Sequence, residues 1–461
     1  MRWIIIWLSI VCLVCLATPS AFGADSEPAE NAVVIVSVDG LAAFYWDDPR
    51  AEMPTIRALA KEGASATAMT TVAPTVTWPN HTTLITGVTP ARHGVVGNDY
   101  YDRAHRRPVP LMTDPDGLKE RLVRVPTLYD LAKARGLSTA AIRWPATRGA
   151  KNLDWTLPDV FSDELLHEYS TPELMKECKA AGVWADGEVV QAGTRELRVV
   201  SDEACTRVFN FILERHRPGL ALLHVTFVDH EEHLKGPRTA EAYTAIKLAD
   251  EQVRSVWETT KRVYQDKATL IVLSDHGFSP VERLVMPNVA LHDAGLIETN
   301  GDQVTGGTVH VIVQGGAALV YILDAEHRAD ILARGKALFS SLEGVAKVVE
   351  SSQLAHHGLA EPQTDPRSPD LLLFAKEGWS FANSATGAAT TIAPVDRKGA
   401  HGHDEHLPIM DATFVAWGRG IEAGARLGRI ANIDVAPTVA RLLQLPLEGA
   451  DGKPLTAALS E

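Results

Sequence analysis

The sequence predicts an α/β fold: a mainly parallel central sheet with helices on both faces, carrying surface insertions. From Asn31 onward, short unbroken apolar runs alternate with amphipathic segments. Strands that read as continuous apolar runs belong to sheets covered on both sides. The composition agrees, since 46% of the 461 residues are hydrophobic and 22% are charged, a balance that excludes a disordered or fibrous chain. No repeat with a period of about 20–50 residues interrupts the pattern.

Residues 33–38 read as a buried strand and 51–62 as the helix after it. Further strands are expected at 138–142, 220–228 and 268–273. Residues 239–264 form a long helix, because Ala242, Ile246, Ala249, Val253 and Val256 recur along one face. Residues 371–374 and 413–416 look like two more strands, and Asp434 suits the N-cap of a helix over 435–443. Residues 100–125 and 361–369 are rich in polar and turn-forming residues and read as surface excursions. No linker divides the body, so residues 24–461 are read as one domain.

Residues 1–23 stand apart. Arg2 precedes an apolar run that ends near Ala21-Phe22-Gly23, the plan of a secretory signal peptide rather than a membrane span. A secreted or periplasmic protein with no transmembrane span in the mature chain is therefore expected. Two of the four cysteines lie in that leader, leaving Cys178 and Cys205 with the choice of pairing or not. The 44 Lys and Arg against 58 Asp and Glu give a formal charge of −14, which argues against binding a nucleic-acid duplex. An acidic protein that acts on phosphates needs cations to offset its own charge.

Three apolar strands run into aspartate: Asp39-Gly40, Asp229 and Asp275-His276-Gly277. Alone, each is an ordinary strand terminator or helix cap. Together, on the ligand-binding edge of one sheet, they repel unless cations lie between them. Histidines supply the rest of a metal site. His233 follows Asp229 by one helical turn, His276 adjoins Asp275, and His401 precedes Gly402, with His403 its rival. Mixed Asp and His donors suit zinc, and sometimes manganese, rather than calcium. Six such ligands make two sites, the pair used as a clamp for phosphoryl displacement. Thr77, ahead of Trp78-Pro79-Asn80-His81 at a helix start, offers a hydroxyl where free N–H groups favour phosphate.

These motifs, with His93-Gly94-Val95-Val96-Gly97-Asn98, occur in an order that resembles the nucleotide pyrophosphatase/phosphodiesterase family of the alkaline phosphatase superfamily. The resemblance runs from about Val33 to Leu455. It implies an alkaline phosphatase-like catalytic domain and a phosphodiesterase or pyrophosphatase that works through a phosphorylated Thr77. It also implies two Zn2+ ions, one held by Asp39, Thr77, Asp275 and His276, the other by Asp229, His233 and His401. Asn98 is implied as the donor to a non-bridging phosphate oxygen, and Trp78 as a wall of the substrate pocket. The implied substrate is a small phosphate ester such as a nucleotide. Arg143 and Arg148, near a Trp144-Pro145 pair, are expected in ion pairs or on the surface unless one reaches phosphate. His230, His403 and His406 neighbour the ligands, and His356-His357 is expected to be exposed.

Rival readings are a phosphomonoesterase or phosphonate hydrolase of the same superfamily, and an exported binding module without catalysis. The complete set of ligands opposes the last. A sulfatase requires Cys or Ser followed by x-Pro-x-Arg, which the chain lacks.

Overall fold

The computed structural model describes residues 31–185, 189–192, 197–395 and 397–460. The expected leader over residues 1–23 lies outside the described residues. Twelve strands position the site: β1 (Ala32–Val38), β2 (Ala64–Thr70), β3 (Thr139–Ile142), β4 (Trp155–Leu157), β5 (Leu220–Val225), β6 (Ala268–Leu273), β7 (Val309–Gln314), β8 (Ala317–Ile322), β9 (Val345–Glu350), β10 (Leu371–Ala375), β11 (Phe414–Gly418) and β12 (Arg426–Ala431). Eight of them form the central sheet in the order β12-β2-β11-β6-β1-β5-β3-β4. Only β11 runs antiparallel to its neighbours, β2 and β6.

Alternation along β1 divides the core. Val34, Val36 and Val38 face one apolar layer, while Val33 and Ile35 face the other. The first layer is covered by α1 (Pro54–Glu62), α3 (Asp202–His216) and α5 (Ala240–Tyr264). The second is covered by α2 (Thr77–Thr86) and by α7 (Val435–Leu442), which follows α4 (Phe227–Lys235) and α6 (Arg328–Ser340) in the chain. The Thr239 side chain caps α5 by accepting the N–H of Ala242. Asp434 does not cap α7 through its side chain; its carboxylate accepts the N–H of Lys453 instead.

Two expectations about strands change. The run 220–228 is a strand only to Val225, after which α4 begins at Phe227. The run 371–374 leaves the central sheet and joins a second, wholly antiparallel one, ordered β7-β8-β10-β9. That sheet has its own apolar core with α6, including Val320, Ile331, Phe339 and Leu373. Residues 100–125 are also more than a surface excursion. They contain part of a hairpin, Asp99–Asp102 with Arg107–Pro110, and bury Val109, Leu111 and Leu122.

Cys178 and Cys205 are both buried and unpaired, and burial pushes each thiol up to about 12. Among the described residues no helix is long and apolar enough to cross a membrane.

Candidate active site

Strands β6, β1 and β5 are neighbours, and their carboxyl ends bring three aspartates together. Asp39 follows β1, Asp275 lies just past β6, and Asp229 sits in the first turn of α4 after β5. Because Asp229 is helical, His233 lies on the same face one turn later, with its Nε2 3.4 Å from Asp229 Oδ1. His401 Nε2 approaches the same oxygen to 3.4 Å. His276 Nε2 lies 3.2 Å from Asp275 Oδ2 and 3.4 Å from Asp39 Oδ1.

The donor atoms form two overlapping clusters, Asp39 with Asp275 and His276, and Asp229 with His276 and His401, each within 4.8 Å. His276 therefore stands between the two expected ligand sets, its ring stacked on His401 at 3.9 Å. The remaining ring nitrogens are occupied by backbone. Nδ1 of His233 faces the carbonyl of Gly399, that of His401 the carbonyl of Thr75, and that of His276 the carbonyl of Gly277. Each Nδ1 donating there leaves its Nε2 as a lone pair toward the carboxylates, the arrangement of a metal-ligating histidine.

Four of the converging atoms, Asp39 Oδ1, Asp229 Oδ1, Asp275 Oδ2 and His276 Nε2, are buried with no hydrogen-bond partner. Burial raises the carboxyl groups of all three aspartates above their usual range, helped at Asp39 by Asp229 and at Asp275 by Asp39. Burial also pushes His276 down to about 3 and His401 well below its ordinary value. Orphaned oxygens and neutral imidazoles at one point are the donor set a divalent cation satisfies.

Thr77 is the half-buried first residue of α2. Its carbonyl accepts from His81 Nδ1 at 2.9 Å, and the same nitrogen lies 3.4 Å from Asp275 Oδ2. The helix start is thus fastened beside the Asp39–Asp275 cluster. Asn98 Oδ1 accepts the N–H of Trp78 at 2.9 Å, and its own N–H donates to Gln314 Oε1. With its acceptor end taken, Asn98 retains an amide NH2 to offer.

Trp78, implied as a wall of the substrate pocket, is buried. The side chain is 1% exposed and closed in by Val95, Val109, Leu111, Leu122, Val123 and Ala146. Most of those residues belong to the stretch 100–125, which folds over the indole instead of standing away from the body. Arg143 and Arg148 are buried as well. Arg143 pairs with Asp202 at 3.0 Å, and Arg148 donates to the backbone carbonyls of Gly117 and Asp114. His403 turns away, its Nε2 on the carbonyl of Trp379 at 2.8 Å. His406 is exposed, whereas His357, expected outside, is buried.

Sequence reasoning missed the supports. His224, in the apolar strand β5, places its Nε2 2.9 Å from Asp39 Oδ2 and its Nδ1 against the carbonyl of Arg143. A histidine inside an otherwise apolar buried strand was the signal for it. Asp202 accepts the N–H groups of Thr226 and Phe227, both at 2.8 Å, and so caps α4. Gly402 has φ 95°, and a Cβ there would lie 2.0 Å from the carbonyl oxygen of Gln314. Only glycine lets the His401 segment pass that close to the second sheet.

The chain resembles known proteins along most of its length. It is 24% identical over 447 residues to human ectonucleotide pyrophosphatase/phosphodiesterase family member 1, covering 91% of this chain and 41% of that protein. A venom phosphodiesterase of Macrovipera lebetinus is 26% identical over 281 residues, or 60% of this chain and 28% of the venom protein. An uncharacterized pyrophosphatase/phosphodiesterase of Schizosaccharomyces pombe is 22% identical, with 94% of this chain and 81% of the yeast protein aligned. The chain thus spans less than half the length of the human and snake relatives.

Among solved structures, murine ectonucleotide pyrophosphatase/phosphodiesterase 5, as an inactive variant in complex with AMP, superposes with a TM-score of 0.71 at 19% identity. That match covers 93% of this chain and all of the other, and it establishes a common alkaline phosphatase-like fold. The profile of the type I phosphodiesterase/nucleotide pyrophosphatase family matches residues 33–404. This chain belongs to that family.

Proposed function

We propose that this chain is an exported hydrolase of phosphodiester or pyrophosphate bonds, acting as one catalytic unit on two zinc ions through a phospho-threonine at Thr77. The observation that carries the reading is the convergence of three unpartnered aspartate oxygens on histidine Nε2 atoms beside the start of α2. Asp39, Asp275, His276 and Thr77 would hold one ion, and Asp229, His233 and His401 the other. Bound there, the ions supply positive charge that offsets the carboxylates and favours a developing alkoxide.

Thr77 Oγ attacks phosphorus as its proton is lost. A P–O bond forms, and the leaving oxygen departs with its electron pair and takes up a proton. Water then hydrolyses the phospho-threonine, returning the hydroxyl. Asn98, oriented by the Trp78 N–H, donates its NH2 to a non-bridging oxygen, a contribution of a few kcal/mol when the charge it meets is developing. Export is supported by the leader-like residues 1–23 and by relatives named as venom and ecto-enzymes. A nucleotide-like substrate is supported by the AMP complex of the murine protein.

A diester is favoured over a monoester. The residue after Thr77 is a buried indole, and Arg143 and Arg148 are committed to Asp202 and to backbone carbonyls. No guanidinium among these is left to grip the second charge of a monoester, whereas the neutral Asn98 suits a monoanion. The test is kcat/KM for an aryl phosphodiester against the matching aryl monoester. A diester preference of about tenfold or more, roughly 1.4 kcal/mol, is expected. A monoester preference of that size identifies a phosphatase instead.

A further inference from the structure

A second group of metal-ligating side chains lies outside the catalytic cluster. His357, at the end of the 3-10 helix Ser351–His357, meets Asp404, Glu405 and His406 with donor atoms all within 4.8 Å of one another. His357 Nδ1 lies 2.7 Å from Glu405 Oε1, and His406 Nε2 lies 3.6 Å from the same oxygen. Asp404 Oδ2 holds Lys347 Nζ at 2.6 Å, while its Oδ1 accepts the N–H of His406. Glu405 is 7% exposed, and its second oxygen, Oε2, is buried without any donor.

A hydrogen bond to His357 explains one carboxylate oxygen and leaves the other desolvated for nothing. A cation resolves that. Two imidazoles with one or two carboxylates are the donors of a transition metal, and the imidazoles disfavour calcium or magnesium. Tetrahedral coordination at about 2.0–2.2 Å sets donors roughly 3.3–3.6 Å apart, so the His406–Glu405 spacing fits as it stands and the 2.7 Å His357–Glu405 contact opens slightly. The exposed His406 side chain, 69% accessible, is free to rotate inward.

We propose that His357, Glu405 and His406 bind a divalent transition-metal ion of the zinc type, with Asp404 closing the shell. The ion fastens residues 401–407, which carry the candidate ligand His401, to the 3-10 helix that follows β9. It is a third site, separate from Asp39, Asp229 and Asp275 and from the histidines around them.

The experiment strips the full chain with a chelator, returns Zn2+ alone and counts bound zinc by equilibrium dialysis with elemental analysis. Glu405→Gln is expected to hold one zinc fewer than the unaltered chain. His406→Ala, whose exposed side chain has no part in the core, is expected to bind one of its zinc ions about tenfold more weakly. Zinc titrations of the two folded variants that superimpose on that of the unaltered chain overturn the proposal. The comparison is a difference between chains, so a wrong ion count at the catalytic cluster shifts all three alike and is told apart.

Discussion

The Arg143 guanidinium and the Asp202 carboxylate form a buried ion pair at 3.0 Å, with side chains only 5% and 8% exposed. Each partner serves the candidate site through another atom. Asp202 accepts the two N–H groups that open α4, the helix of Asp229 and His233. The Arg143 carbonyl, turned by a left-handed φ of 55°, faces His224, which holds Asp39. Removing one member of a buried pair leaves the other uncompensated, at about 3–5 kcal/mol. Asp202→Ala is therefore expected to lower unfolding free energy by about 3 kcal/mol and to weaken zinc retention. Denaturant unfolding with metal analysis checks it, and a variant as stable as the parent refutes the role.

Thr77, the proposed nucleophile, and Thr75 are told apart by substitution. Thr75 is fully buried; its hydroxyl donates to the carbonyl of His403 and accepts the N–H of Gly402, and its carbonyl faces His401 Nδ1. Thr77→Ala is expected to lose activity by roughly a thousandfold or more with zinc content unchanged. Thr75→Ala should instead cost about 1–3 kcal/mol of stability. An active Thr77→Ala enzyme moves the nucleophile elsewhere.

His401 and His403 are two residues apart and face different surroundings. His401→Ala is expected to release one zinc and abolish hydrolysis, since its Nε2 lies against Asp229. His403→Ala should keep its zinc and lose about 1–2 kcal/mol of stability, because the ring serves the Trp379 carbonyl. Zinc lost from the His403 variant alone reverses the assignment.

Asp99 gives a pH prediction. Burial raises its carboxyl from the ordinary 3.8 to about 6. The folded chain then binds more protons here than the unfolded chain between those values, so stability falls as pH rises through about 4 to 6 and stays lower above. Asp99→Asn removes that loss, and at pH 7 the variant should be more stable by about 2 kcal/mol. Unfolding curves at pH 4 and pH 7 decide it: equal effects at both pH values rule out Asp99 as the source.

What was legible follows from which forces act locally. The apolar runs of β1 and β6, the one-face repeat of α5, and the aspartates at strand ends all announce themselves within a few residues. Residues 371–374 did not, because an apolar run has the same appearance in either of two buried sheets. The burial of Trp78 is not legible in the sequence because it depends on Val109, Leu111 and Leu122, whose stretch reads as polar overall. His224, Asp202 and Gln314 act on partners far along the chain, and nothing in their own neighbourhoods names those partners.

Gln314, at the end of β7, ties the second sheet to the segments that carry Asn98 and His401. Its Oε1 accepts the N–H of Asn98, its Nε2 donates to the carbonyl of Asp99, and its own carbonyl lies against Gly402. A minimal catalyst cut down to the eight-stranded sheet would keep every candidate zinc ligand yet lose the brace behind Asn98 and the rail along which the His401 segment runs. For anyone building smaller or chimeric enzymes from this scaffold, the two sheets must travel as a pair.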